Sequence, residues 1–194
     1  GHVPYEDIVY DSRFLEGAIL VYLKKLGVVA PNKAPRDDVK KDGKFAGAYV
    51  QDPQKGRHDW VYDLDITSMY PSIIMSLNVS PETKIGKVIG WDPEEFIRGK
   101  NKTYSIYMND KKKGQFTETE LKEYFDNNQV SISNNGIIYR TDKLGLIPTL
   151  LSEWFDKRTE YRKLAKKFSN EGNEEKSGYF NRRQHIQKIV LNSM

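Results

Sequence analysis

The chain has 194 residues, of which 38% are hydrophobic and 30% charged, as is typical of a globular protein with a buried core. It contains no cysteine, which excludes disulfides and thiolate metal sites, and its three scattered histidines do not form a zinc motif. No run of 18 apolar residues is present, so we expect no membrane span.

The net charge of +4 is concentrated at one end of the chain. Residues 149–194 contain ten Lys or Arg and six Asp or Glu, whereas residues 1–148 contain 21 of each. A basic block of this kind is typical of a surface that binds phosphate, and equally of a solvated helix face.

The N-terminal half predicts a helix, a linker and a strand. Apolar spacing over 15–26 indicates a helix that docks through its leucines, and the Pro- and Lys-rich residues 31–44 indicate a surface loop. Residues 59–66 alternate between an apolar face, which includes Trp60 and Leu64, and a face with two aspartates, which is the period of a strand. A short helix should follow, with Pro71 in its first turn.

Three further features are predicted from local chemistry. Residues 117–125 begin with a capping-box pattern and should be helical. Residues 131–139 should form a β-hairpin that turns at an Asn-Gly pair. Two amphipathic helices, from Thr149 and from about Lys176, flank the polar segment 169–175 and therefore predict an antiparallel helical hairpin.

Asp65 ends the predicted strand where the chain turns into a helix. Its carboxylate is a hard oxygen ligand suited to Mg²⁺, and the backbone N–H groups of such a turn suit phosphate. The alternative interpretation is an aspartate that caps the helix. Asp63 lies on the same face and is either a second ligand or a solvated strand residue.

The predicted helical hairpin carries two pairs of polar residues with i, i+4 spacing. Arg158 and Arg162 share a face of the first helix, and Lys188 and Asn192 share a face of the second. Antiparallel packing could direct all four side chains to one pocket, where the cations would bind phosphate oxygens. A solvated helix surface remains the alternative.

Four segments resemble family B DNA polymerases. Residues 65–74, Asp-Ile-Thr-Ser-Met-Tyr-Pro-Ser-Ile-Ile, resemble motif A of that family, and residues 188–194, Lys-Ile-Val-Leu-Asn-Ser-Met, resemble the first part of motif B. Residues 45–49 are similar to the element between its exonuclease and polymerase domains, and residues 145–148 to its entry into the fingers. In a further segment, residues 78–83, the sequence resembles the T4-type phage branch of the family.

The resemblance implies a role for each matching position. Asp65 matches the catalytic aspartate that binds both metal ions, and the carbonyl of Ile66 matches a further metal ligand. The dNTP would be bound by the motif A turn and the basic helices; the residues concerned are Ser68, Met69, Tyr70, Arg158, Arg162, Lys188 and Asn192. Tyr70 also matches the steric gate that excludes a ribose 2′-OH. The implied cofactor is Mg²⁺, two ions in the complete active site.

The resemblance further implies an α+β fold with three parts. These are an N-terminal helix and linker (1–44), a palm portion with motif A (45–148) and an antiparallel two-helix fingers hairpin (149–194) that ends inside motif B. Motif C, which supplies the second essential aspartate, has no counterpart in the 194 residues, and two-metal phosphoryl transfer needs carboxylates on both sides of the metals. We therefore expect a chain that is inactive alone.

The expected partners are a primer–template DNA, a dNTP and a C-terminal polymerase portion that carries motif C and the thumb. The chain begins Gly1-His2, which suggests a tag scar or an excised fragment, and it stops inside motif B, which a split gene, an intein junction or a fragment would each explain. Two other functions remain open: a nucleic-acid-binding module without catalysis, and the complementing subunit of a split polymerase. A polymerase of this family would act in the cytoplasm, or in the host cytoplasm if it is viral.

Overall fold

The computed structural model describes residues 4–7, 9–30, 32, 49–100, 102–109 and 111–193. These residues contain six α-helices and one five-stranded antiparallel sheet, which confirms the predicted α+β class. The chain divides into two units, Gly1–Ile66 and Thr67–Met194. The boundaries predicted at 44/45 and 148/149 stay predictions. Within the described ranges, no helix is both long and apolar enough to span a membrane.

The first unit contains a 3-10 turn, Tyr5–Asp7, and helix α1, Asp11–Lys25. The helix predicted at 15–26 is thus confirmed, with a start four residues earlier. Leu15 is buried, whereas Leu20 and Leu26 are about half exposed, so the predicted docking stripe is not uniformly covered. The predicted linker and the segment 45–49 lie outside the described residues, apart from single positions at their edges.

The strand predicted at 59–66 is wrong. This segment has no regular secondary structure, and none of the described strands pairs with it. Trp60 has a φ of 59°, which interrupts an extended chain, and Leu64 is 94% exposed. Both sets of the alternating pattern are exposed, and a strand forms only when a neighbour satisfies its backbone N–H and C=O groups.

The second unit begins with helix α2, Met69–Ser76, which confirms the predicted short helix. The sheet and two small helices follow in the order β1 Lys84–Ile89, α3 Pro93–Ile97, β2 Thr103–Met108, β3 Lys111–Thr117, α4 Glu118–Asn127, β4 Val130–Ile132 and β5 Ile137–Arg140. The strand order is β3-β2-β1-β5-β4, and each neighbouring pair is antiparallel.

The core of the second unit lies between the sheet and α4. Its five fully buried members come from β1, β2, α4 and β5; they are Val88, Tyr104, Ile106, Leu121 and Ile138. Helix α4 begins at the predicted place because Thr117 caps it and the Glu120 side chain accepts a hydrogen bond from the Thr117 N–H, a complete capping box. The capping box fixes the entry of α4, which presents Leu121 to the sheet.

The predicted hairpin at 131–139 is confirmed as β4 and β5, which turn at Asn135-Gly136. Gly136 has a φ of +79°, and a Cβ at this position would lie 2.7 Å from the carbonyl oxygen of Val88. Glycine is therefore required here both for the left-handed backbone and for the close approach of β1.

The predicted helical hairpin is confirmed as α5, Leu146–Asn170, and α6, Glu174–Asn192. Three residues join the helices, and the Asn173 side chain caps α6 by accepting a hydrogen bond from the Lys176 N–H. Across the hairpin, the rings of Phe168 and Phe180 are stacked with centroids 5.6 Å apart. This contact fixes the two helices at the end near the connecting turn.

Candidate functional site

The turn before α2 places Ser68 in an unusual backbone conformation. Ser68 is the N-cap of α2 and has left-handed φ and ψ angles of 51° and 54°. Its carbonyl accepts the first helical hydrogen bond, from the Ser72 N–H at 2.9 Å, while the Ser72 hydroxyl donates to the carbonyl of Thr67. These bonds stabilise a sharp turn. The Ser68 side chain makes no capping hydrogen bond to α2 and can therefore bind another residue.

That partner is Arg158 on α5, 90 residues further along the chain. An Arg158 Nη1–H donates to the Ser68 hydroxyl oxygen at 2.9 Å. The Arg158 Nε–H is buried and has no hydrogen-bond partner among the described residues. Burial, followed by the positive charge of Arg162, lowers the pKa of Arg158 below its usual range. The site therefore holds a half-buried guanidinium with an unused donor.

The other predicted residues of α2, α5 and α6 lie on exposed surface. Met69 and Tyr70, in the first turn of α2, are 43% and 64% exposed. Arg162, Lys188 and Asn192 are exposed as well, and none of their side chains forms a hydrogen bond or ion pair with another described residue. Helix α2 contacts both α5 and α6, so both helices of the hairpin pack against the helix that follows the turn.

Asp65 and Ile66 are the last residues of the first unit, and both side chains are exposed. Asp63 is exposed too, and neither aspartate forms an ion pair with a described residue. Among the described residues, no group of three or more His, Asp or Glu side chains forms a metal site. The hard oxygen atoms of the Asp65 carboxylate and the Ile66 carbonyl still match the donors that Mg²⁺ prefers.

Sequence reasoning missed a buried polar cluster that joins the end of α2 to the start of α5. Asn78 is 4% exposed and has a φ of 55°. Its side-chain amide donates to the carbonyls of Arg140 and Lys143 at 2.7 and 2.9 Å, and its side-chain oxygen accepts the Gly145 N–H at 2.8 Å. A single asparagine thus binds three backbone groups of the segment 140–145, which is 62 to 67 residues away.

Residues 78–83 extend this cluster to the first turn of α5, and we call residues 78–83 with Gly145 and Leu146 the clasp. The Thr83 hydroxyl donates to the carbonyl of Asn78 at 2.6 Å. Glu82 accepts hydrogen bonds from the Ser80 hydroxyl at 2.7 Å and from the Leu146 N–H at 2.5 Å. The only sequence signal was an asparagine directly after a helix, a position that favours left-handed backbone.

Glu82 carries the charge of the clasp. Partial burial raises the pKa of Glu82, but hydrogen bonds from the Leu146 N–H and the Ser80 hydroxyl outweigh burial, so the net pKa is lower than usual. The ionised carboxylate also lies at the N-terminus of α5, where the helix dipole favours negative charge.

Comparison with known proteins identifies the relatives of this chain. The family model of DNA polymerase family B matches residues 9–194. The DNA-directed DNA polymerase of Escherichia phage RB69 is 30% identical over 118 residues, which are 61% of this chain and 11% of the relative. The corresponding enzyme of Enterobacteria phage T4 is 28% identical over 89% of this chain and 16% of its own length.

An archaeal relative shows the same pattern. The DNA polymerase of Thermococcus hydrothermalis is 30% identical over 86% of this chain, which corresponds to 8% of that protein. The chain thus spans less than a fifth of the length of these relatives. The matched region includes the turn before α2 and the whole helical hairpin.

Proposed function

Because this chain belongs to DNA polymerase family B, we propose that it supplies the dNTP-binding half of a DNA-directed DNA polymerase active site. The reaction is the template-directed attack of a primer 3′-OH on the α-phosphate of a dNTP. The observation that carries the proposal is the hydrogen bond from Arg158 to Ser68, which joins the motif A turn to the basic helix. The motif A turn and the first helix of the hairpin are therefore joined by one guanidinium.

Arg158 is the residue best prepared to bind the triphosphate. A buried polar donor without a partner is uncommon in folded proteins and calls for a functional explanation. The unused Nε–H of Arg158 belongs to a charged group of the kind that forms charge-assisted hydrogen bonds to phosphate oxygens. The pKa of Arg158 is lowered because burial and the neighbouring charge of Arg162 disfavour its protonated form. An anionic ligand would stabilise that form.

We assign the exposed cations of the hairpin to the same ligand. Arg162 and Lys188 would neutralise the triphosphate and the departing pyrophosphate, and Asn192 would contact the nascent base pair. Their lack of hydrogen bonds or ion pairs with described residues leaves these side chains available for a ligand. Cations that strengthen their contacts as charge develops lower the barrier, whereas cations that bind equally throughout lower KM alone.

The turn before α2 would hold the sugar and phosphates of the dNTP. Ser68 and Met69 would contribute their backbone at the triphosphate, since N–H groups at a helix start suit phosphate. The exposed ring of Tyr70 would pack against C2′ of the sugar and exclude a 2′-OH by its bulk.

Asp65 is the proposed catalytic residue of this chain. Its carboxylate and the Ile66 carbonyl would hold Mg²⁺, and two bound Mg²⁺ ions would stabilise the charge of the attacking and leaving oxygens. In this assignment 45–148 belongs to the palm, 149–194 is the fingers hairpin, and a further polymerase portion supplies motif C, the thumb and the other carboxylate. Primer–template DNA is the second substrate.

Complementation tests the proposal. The 194-residue chain is assayed for primer extension with Mg²⁺, alone and together with a polymerase portion that contains motif C and the thumb. We expect no extension by the chain alone and extension by the pair, which Asp65→Asn abolishes and Asp63→Asn leaves within about threefold of the unsubstituted pair.

Two outcomes would contradict this assignment. Extension by the chain alone would show that a second carboxylate is already present in it. DNA binding by the pair without extension under any condition would favour the non-catalytic nucleic-acid-binding module instead.

A further inference from the structure

The sheet of the second unit has one face that no part of the proposed reaction uses. Helix α4 packs on the opposite face, where Val88, Ile106 and Ile138 are buried. Because side chains alternate along a strand, Tyr107 and Tyr139 point away from α4. We call the face opposite α4 the open face. Both tyrosines are half-buried there, and at the β4 edge Ser131, the cross-strand partner of Tyr139, donates a hydrogen bond to the carbonyl of Leu77 at the end of α2.

The strand register places a tyrosine between two lysines on the open face. Tyr107 of β2 is paired with Lys87 of β1 on one side and with Lys112 of β3 on the other. Neighbouring strands are about 4.8 Å apart, so both lysine side chains can reach past the ring. A second cross-strand pair, Lys84 with Tyr139, repeats the combination on β1 and β5.

The bulge in β1 brings its two lysines to the same face. The register shifts between Lys84 and Gly86, so Ile85 is an extra residue and packs with the core. Without the bulge, Lys84 and Lys87 would point to opposite faces, because they are three residues apart. The bulge therefore makes the open face more basic than the regular alternation of a strand would allow.

Charge is separated between the sheet and its helices. The five strands contain five lysines, one arginine and no Asp or Glu. The helices α3 and α4 carry two and four carboxylates, and three more in the flanking loops have partners: Asp92 caps α3, Glu82 accepts the Leu146 N–H and Asp142 pairs with Arg140. Within the part of the chain that the structure describes, the open-face lysines Lys84, Lys87 and Lys112 form no ion pair, so their positive charge is not neutralised locally.

We propose that the open face binds single-stranded nucleic acid. Lysines flanking a ring match the chemistry of a strand whose phosphates bind cations while its bases stack on aromatic faces. A duplex would contact the lysines alone, because its bases are already stacked on one another. An acidic protein would likewise have no base to place on Tyr107 and Tyr139. The combination of both features therefore favours an unpaired strand.

Fluorescence anisotropy of the 194-residue chain with a labelled oligothymidylate of about twelve nucleotides tests the proposal, since such sites take about 4 to 16 nucleotides. Tyr107→Leu removes the π-face but keeps an apolar side chain. We expect it to weaken binding by about fivefold or more, from the usual contribution of one stacked base. Tyr107→Phe keeps the ring and should stay within about twofold.

The lysines are tested by charge-matched pairs. Lys87→Gln with Lys112→Gln should reduce the slope of log K against log salt by about 1.4, since each phosphate contact on a single strand contributes about 0.7. Lys100→Gln with Lys122→Gln, both away from the open face, changes the net charge equally and should leave the slope nearly unchanged. These exposed side chains can be replaced without disturbing the core.

Photocrosslinking locates the bound strand directly. A bromodeoxyuridine oligonucleotide should crosslink to β2 or β5, whereas crosslinks confined to α5 and α6 would overturn the proposal. So would equal losses in both lysine pairs, equal binding by the Leu and Phe variants of Tyr107, or equal displacement by polyglutamate at the same charge concentration. None of these measurements involves nucleotide incorporation, so their failure is distinguishable from failure of the proposed polymerase function.

Discussion

Replacement of Asn78 should destabilise the second unit far more than an exposed polar substitution. The side chain makes three hydrogen bonds in a site that is 4% exposed. At about 1 kcal/mol net for each bond, their loss amounts to about 3 kcal/mol, and unsatisfied partners left in the interior can increase it. Ala at a φ of 55° adds about 1 kcal/mol, because left-handed backbone is strained for residues other than glycine and asparagine.

Two variants of Asn78 distinguish the stability that is lost with the side-chain hydrogen bonds from the stability that is lost through backbone strain. Asn78→Gly removes the hydrogen bonds but accepts the positive φ, so we expect a loss of about 3 kcal/mol. Asn78→Ala should lose about 4 kcal/mol, since it carries the additional backbone strain. Asn134→Ala is the control, because Asn134 is an exposed turn residue and such changes usually remain within about 0.5 kcal/mol.

Urea unfolding followed by circular dichroism measures the free energy of unfolding of each variant. Amide exchange shows which backbone N–H groups lose protection. The Gly145 and Leu146 N–H groups, which donate to Asn78 and Glu82, should exchange faster in the Asn78 variants. Gly145→Ala disturbs the same place independently, because a Cβ there would lie 2.7 Å from the Ser80 Cβ. An Asn78→Gly variant within 0.5 kcal/mol of the unsubstituted chain would refute this account of the clasp.

Three further predictions concern the clasp charge and the proposed nucleotide site. The pKa of Glu82 is lowered by folding, so its contribution to stability is complete above its ordinary pKa of 4.5 and is lost as the pH falls through the lower folded value. Glu82→Gln should flatten that acid limb in urea titrations at several pH values, and an unchanged limb would exclude Glu82 as its cause. Tyr70→Ala in the complemented enzyme should raise the rNTP/dNTP ratio of kcat/KM, whereas Tyr70→Phe should preserve it; an unchanged ratio in the Ala variant means that Tyr70 is not the gate. Lys188→Ala should lower kcat/KM for dNTP by about 30- to 1000-fold, as expected for 2–4 kcal/mol of lost transition-state stabilisation, with Lys167→Ala as the exposed control; a change limited to DNA affinity would instead place Lys188 on the DNA backbone.

The sequence predicted those elements whose causes are local. The capping box at Thr117 and Glu120 and the Asn135-Gly136 turn involve residues within three positions of one another, and both are present. The helical hairpin follows from its apolar period and the polar segment between its helices. The strands β1, β2 and β3 were not predicted, because their formation depends on partners brought together by the whole sheet.

The same distinction applies to the candidate site. Helical spacing grouped Arg158 with Arg162, and the motif resemblance singled out Ser68, but neither predicts a hydrogen bond between residues 90 positions apart. Asn78 was missed because all of its side-chain partners are more than 60 residues away. The strand expected at 59–66 shows the reverse error, since an alternating pattern was interpreted as a strand without evidence for a pairing neighbour.

Helix α5 is long and is held at its N-terminal end by the clasp, so a small rotation there would move its distant residues. Its 25 residues extend about 37 Å at a rise of about 1.5 Å each, and Arg158 lies about 18 Å from the clasp end. A tilt of about 10° at the clasp would move the far end by about 6 Å but Arg158 by about 3 Å, on the same helix dimensions. A displacement of that size is enough to break the 2.9 Å hydrogen bond to Ser68. The contact between α5 and the turn is therefore mechanically sensitive: a small rotation at one end of the helix separates the two sides of the site while both elements remain fully folded.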